Sequence, residues 1–111
     1  MGYMESIPSV ASSAAYEASR VVKAGPGRLL TLSGFNSKGS AQFIQVHNAA
    51  ALPADAAVPL FTGTVPTVGN FLFDFGALGL PCSVGITISN SSTGPTKTIG
   101  SADVYLTATY L

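Results

Sequence analysis

The stretch Phe71–Phe75, FLFDF, decides how this chain is read. In a strand, successive side chains point to opposite faces. Phe71, Phe73 and Phe75 then share one side and form the clearest core face in the chain, with Leu72 and Asp74 opposite them. The same period of two recurs on both sides of this stretch. SRVVK, from Ser19, reads as a first strand. RLLTLSGFN, from Arg28, is expected to set Leu30 and Leu32 against Leu29, Thr31 and Phe35. AQFIQVH, from Ala41, sets Ile44 and Val46 against Phe43, Gln45 and His47. VPLFTGTV, from Val58, reads as an edge strand, because Pro59 has no N–H to give a ladder. VGITIS places Val84, Ile86 and Ile88 together. DVYLTATYL turns Val104, Leu106, Ala108 and Tyr110 inward and Tyr105, Thr107 and Thr109 outward.

About seven short strands separated by turn residues predict an all-β fold, an antiparallel β-sandwich of jelly-roll or Ig-like type. Residues 19–111 make up this domain. Residues 1–18 differ: they are rich in Ser and Ala, contain Pro8, and carry weak helical potential over ASSAAYEASR, which predicts an N-terminal arm or short helix. Two connections, NAAALPADAAVP (48–59) and NSSTGPTKTIGSA (90–102), are longer than a hairpin needs and suit crossovers between sheets.

Only 9% of the 111 residues are charged, the net charge is zero, and 47% are hydrophobic. A soluble domain usually carries about 25% charged residues. A small domain with so little charge tends to self-associate, which points to a surface covered by neighbouring subunits and to a homo-oligomer. Five basic residues balanced by five acidic ones leave no basic field for nucleic acid. No apolar run approaches the roughly 18 residues of a membrane span, and the first residues lack the charged and apolar regions of a secretory signal. MGYMES fits the short myristoylation pattern of Gly2 with Ser6. With one cysteine, Cys82, no internal disulfide forms.

The loop Asn90–Val104, NSSTGPTKTIGSADV, has the look of a phosphate loop, but the residues contradict it. The phosphate-loop pattern needs Gly directly before Lys and another Gly five residues before the Lys-preceding one; Thr96 and Ser91 hold those positions. The loop also leads into a strand, whereas a phosphate loop opens a helix. Asn90-Ser91-Ser92 matches a glycosylation acceptor with no accompanying secretory signal. His47 is the only histidine, and on its strand it reads as a half-exposed, hydrogen-bonded side chain. Cys82 follows Pro81 in an apolar turn with no nearby cation to activate its thiol. Asp55 and Asp74 read as turn residues, and Asp103 is isolated from them. Neither catalysis, a metal nor a cofactor is indicated, and the chain reads as a non-enzyme. Exposed aromatics offer a different route, with Tyr105 and Phe43 as a platform for glycans.

Three blocks carry a resemblance: GRLLTLSGFNSKGSAQFIQVHNAAALPADAAVPLF (27–61), NFLFDFGALGLP (70–81) and GITISNSSTGPTKTIGSADVYLTATY (85–110). They resemble a set of small proteins of tailed bacteriophages, which share a SAQFIQVHD-ALPADGAVP block and an SSTGPTKT-GSAD block in this order. The resemblance spans Ser19 to Tyr110. This chain has Asn48 where Asp is common in that set, and Ala56 where Gly is common. The resemblance implies a virion component.

Together these readings predict a structural subunit of the virion that decorates or cements the capsid, with the major capsid or other virion proteins as partners. Tyr3, Met4, Ile7, Val10 and Tyr16 of the arm are expected as subunit contacts, and Lys97 as a surface contact. The arm either anchors to a neighbour or packs as a helix on its own domain. The alternative function is a tail or head-fibre module that binds host-surface glycans.

Overall fold

The computed structural model describes residues 7–111 and shows the all-β sandwich in two antiparallel sheets, one of five strands and one of four. Its strands are β1 (Ser9–Ser12), β2 (Ser19–Lys23), β3 (Gly27–Asn36), β4 (Gln42–Asn48), β5 (Phe61–Val65), β6 (Gly69–Asp74), β7 (Leu80–Cys82), β8 (Ile86–Ser91) and β9 (Val104–Tyr110). Sheet A runs β1-β9-β3-β6, with β7 extending the β6 side along the start of β3; sheet B runs β2-β8-β4-β5. Most connections pass from one sheet to the other, and this alternation wraps both sheets around a single core.

The core follows the period of two. Ile44 and Val46 of β4, Ile86 and Ile88 of β8, and Val104, Leu106 and Ala108 of β9 are all buried between the sheets. Phe71 and Phe73 of β6 and Phe75 just beyond it share a face, as their spacing predicts. Phe73 and Phe75 meet Phe61 of sheet B at ring-centroid distances of 5.2 Å and 4.9 Å. Such edge-to-face pairs add about 0.5–1.5 kcal/mol beyond their burial, and here they close one open side of the sandwich. Gly63 makes this possible, because a Cβ there would collide with the Phe73 ring.

Several details depart from the simple alternation. Leu29 and Leu32 are the fully buried leucines of β3, whereas Leu30 is only partly covered. The pairing of β3 with β9 shifts between Leu29 and Thr31. One extra residue at such a bulge reverses the facing of everything before it. Val84 is exposed, because β8 starts only at Ile86 and the Asn48 carboxamide oxygen takes the Val84 amide into a turn at 2.8 Å. Edge strand β5 begins at Phe61, so Pro59 precedes it. The connection 49–60 joins neighbours β4 and β5 within sheet B and is no crossover, while 92–103 does cross from β8 to β9. Within the arm, residues 9–12 are a strand paired with β9, and no helix occurs among the described residues.

Candidate functional site

Two surfaces hold the residues that the sequence singles out. The first is the outer face of sheet B, where β4 and β8 alternate as strands should. Their outward residues Gln45, His47, Thr87, Ser89 and Ser91 are nevertheless buried. The two long loops lie over them. Buried polar groups need partners, and the loop backbone supplies most of them. Gln45 Nε2 reaches the carbonyl oxygens of Thr93, Gly94 and Thr96 at 3.0, 2.9 and 3.2 Å. Thr87 Oγ1 donates to Ala49 O, and Ser91 Oγ donates to Thr93 O and accepts from Thr98 N.

The loops also fasten to each other. Ala56 N donates to Lys97 O at 2.7 Å, and Lys97 N donates to Ala57 O at 2.8 Å. Lys97 Nζ lies 2.5 Å from Asp55 Oδ1, which also accepts from Ile99 N at 3.1 Å. These two bonds hold the Asp55 carboxyl below its usual pKa. The Lys97 side chain is only 3% exposed. Lys97 is therefore an internal clasp and not the surface contact expected from its loop.

Ala56 sits at φ 75°, the left-handed region that favours glycine. Asn48 Oδ1 accepts from the amides of Val84 and Gly85, and an Asp carboxylate would accept the same two bonds.

His47 is buried, not half-exposed, and its Nε2 lies 3.0 Å from Ser89 Oγ. A Ser–His pair is the raw material of nucleophilic catalysis, but Ser89 is fully buried beneath the loops, where no substrate carbonyl reaches its hydroxyl. Cys82 is no partner of His47. Its thiol donates to Leu80 O, and burial pushes its pKa up, away from the thiolate. Among the described residues no three His, Cys, Asp or Glu side chains gather as a metal site. Asp74 caps its own turn by accepting from Gly76 N at 2.8 Å.

Burial lowers the His47 pKa from its ordinary 6.5, and the nearby charge of Lys97 lowers it further. The folded chain thus disfavours the imidazolium, and the unfolded chain binds its proton first. Stability is full above pH 6.5 and falls as the pH drops from there toward the lower folded value. Thermal melts should show a falling Tm across that window, and His47→Gln should flatten it. An equal slope in both proteins would remove His47 as the cause.

The second surface is the open side of sheet A, where the arm residues lie. Ile7 and Val10 are 86% and 62% exposed beside the end of β9 that holds Tyr110. Tyr16 lies at the other end, its ring centroid 5.6 Å from that of Tyr105. Tyr3 and Met4 fall outside the described residues. Tyr105 and Phe43 do not form a platform, because Tyr105 projects from sheet A and Phe43 belongs to sheet B. Tyr105 stacks instead on Phe35, with centroids 5.7 Å apart. The Glu17–Arg20 pair buttresses this end of the arm: burial raises the Glu17 carboxyl, but bonds from Arg20 and Ser13 outweigh it and hold the pKa below the usual value.

The edge strands are protected unequally. Strand β2 carries Arg20, Lys23 and a register shift between Val21 and Lys23, all features that discourage a further strand. Strand β6 ends on Asp74. Strands β1 (SVAS) and β5 (FTGTV) both have no charge, no internal proline and no bulge along their pairing, and β1 is the more exposed of the two. Neither a protein-family model, nor a curated protein, nor a solved structure matches the chain.

Proposed function

We propose that this chain is a non-enzymatic structural subunit of a tailed-bacteriophage particle, which packs against copies of itself and against capsid proteins through the open side of sheet A. The observation that carries this reading is the poverty of free charge on a surface rich in apolar side chains. Of ten charged residues, six are tied up in the pairs Glu17–Arg20, Lys38–Asp103 and Asp55–Lys97. Lys23, Arg28 and Asp74 make no ion pair with a described residue. Meanwhile Ile7, Val10, Val58, Leu72 and Leu78 stand more than half exposed. A surface of this kind associates readily in water.

The unprotected edge of β1 gives the association a direction. A second copy can add its own β1 to this edge, which satisfies backbone N–H and C=O groups and buries Ile7 and Val10 of both chains. Many such weak contacts repeated over a lattice sum to a strong attachment. The blocks shared with small phage proteins support the particle as the setting.

Sedimentation of the purified chain tests the contact. The wild type should self-associate, and a charge at the edge, in Ile7→Lys with Val10→Lys, should weaken association by at least about tenfold without changing Tm. A wild type that remains monomeric, or a variant that assembles equally well, would overturn the β1 contact.

A further inference from the structure

The end of sheet A beyond the β1 edge has a different chemistry. Its outward residues form cross-strand rows set by the register: Ser12, Thr107 and Ser33 in one, Val10, Thr109 and Thr31 in the next. Ser12 and Thr107 hydroxyls lie 3.0 Å apart, and those of Thr31 and Thr109 lie 2.5 Å apart. A hydroxyl has one donor and two acceptor positions, so each pair retains capacity toward a ligand. At the end of these rows Phe35, Tyr105 and Tyr16 form a run of aromatic rings. Tyr105 and Tyr16 are 43% and 47% exposed.

Between the two tyrosines and the turn Ser13–Ala15 lies an open pocket of about 240 Å³. That is below the ~300 Å³ at which pockets for drug-sized ligands begin, and it suits a single ring. The Ala14 and Ala15 amides donate to no described residue. Ser13 Oγ spends its donor on Glu17 and one acceptor position on Leu106 N. No charged side chain lines the pocket, and the Glu17 carboxylate nearby is held by Arg20 and Ser13.

We propose that this pocket and the Ser12–Thr107–Ser33 row beside it bind a neutral saccharide, with one pyranose ring seated against Tyr16 and Tyr105. The C–H face of a pyranose is weakly positive and matches the negative face of an aromatic ring. The phenol hydroxyls and the free amides then meet the sugar's hydroxyls, and the absence of charge favours an uncharged ligand. The next sugar along a chain would lie over Ser12 and Thr107. Saccharide binding here does not depend on the assembly role, because the pocket lies at the opposite end of the arm from Ile7 and Val10.

Amide chemical-shift mapping with maltotriose, cellotriose and N,N′-diacetylchitobiose tests it. At least one should shift residues 13–16 and Tyr105 saturably. Tyr105→Ala and Tyr16→Ala should each weaken binding by about tenfold, the upper end of a lost aromatic contact. Tyr105→Phe keeps the ring and loses only the hydroxyl contact, so it should weaken binding by about threefold, less than Tyr105→Ala, and it remains informative should the alanine variants unfold. The proposal fails where none of the three sugars shifts these residues, or where the alanine variants bind normally. Shifts that follow protein concentration and ignore sugar would assign the pocket to a second copy and overturn the proposal.

Discussion

Ile44→Ala should lower the unfolding free energy by about 2–5 kcal/mol, the range for deleting a large aliphatic side chain from a core. Ile44 is fully buried on β4, a central strand of sheet B. Its neighbours around one narrow internal gap are Ile88, Val104 and Leu106, which belong to both sheets. The surrounding strands are held by ladders on either side and cannot collapse far into the space left behind. The cost should therefore fall in the upper half of the range. Urea unfolding would show it as a lower midpoint with an unchanged slope. A loss below about 1 kcal/mol would mean that the two sheets meet less tightly than the burial of these residues indicates.

The second large effect belongs to a polar residue. Gln45→Leu keeps the volume but removes the amide that reaches Thr93, Gly94 and Thr96. Each buried acceptor left without a donor costs about 1–3 kcal/mol. Two considerations moderate the sum. The three carbonyls have other partners in Ser91, Thr62 and Thr93 hydroxyls. Leucine also removes Gln45 Oε1, which is buried without a partner. A loss of about 2–3 kcal/mol is expected, together with faster hydrogen exchange in residues 92–98 relative to the rest of the chain. Uniform exchange with full stability would show that the loop is held without Gln45.

These two positions also mark what could be read from the sequence. Ile44 and Val46 declare their face through simple alternation, and so do the phenylalanines of β6 and the inward residues of β9. Gln45 and His47 occupy the alternate positions, and polar side chains there read as solvent-facing. They are buried because two loops distant in sequence fold back over them, which a period of two cannot register. One signal was present: the stretches 49–60 and 92–102 are nearly free of charge, yet each carries a single charge of opposite sign, Asp55 and Lys97. The helical potential of the arm gave way to pairing with β9, since Ser9–Ser12 gains ladder bonds that an isolated short helix would lack. Strand β7 was hidden by its length of three residues and by Pro81. The bulge at Leu29–Thr31 shows itself only through the register with β9.

The apolar side chains of the arm stand out in a Ser- and Ala-rich segment, and Ile7 and Val10 are exposed. The aromatic run was not legible, because Tyr16, Phe35 and Tyr105 come from three separate segments and only sheet A brings them together. Tyr105 did stand out as an outward residue, but Phe43 was the wrong companion.

Cryo-electron microscopy of the purified phage particle tests the structural role most directly. The account predicts many copies of this sandwich at symmetry-related positions on the capsid, with the open side of sheet A turned toward a neighbouring protein. A chain confined to the tail tip, or absent from the particle, would contradict it.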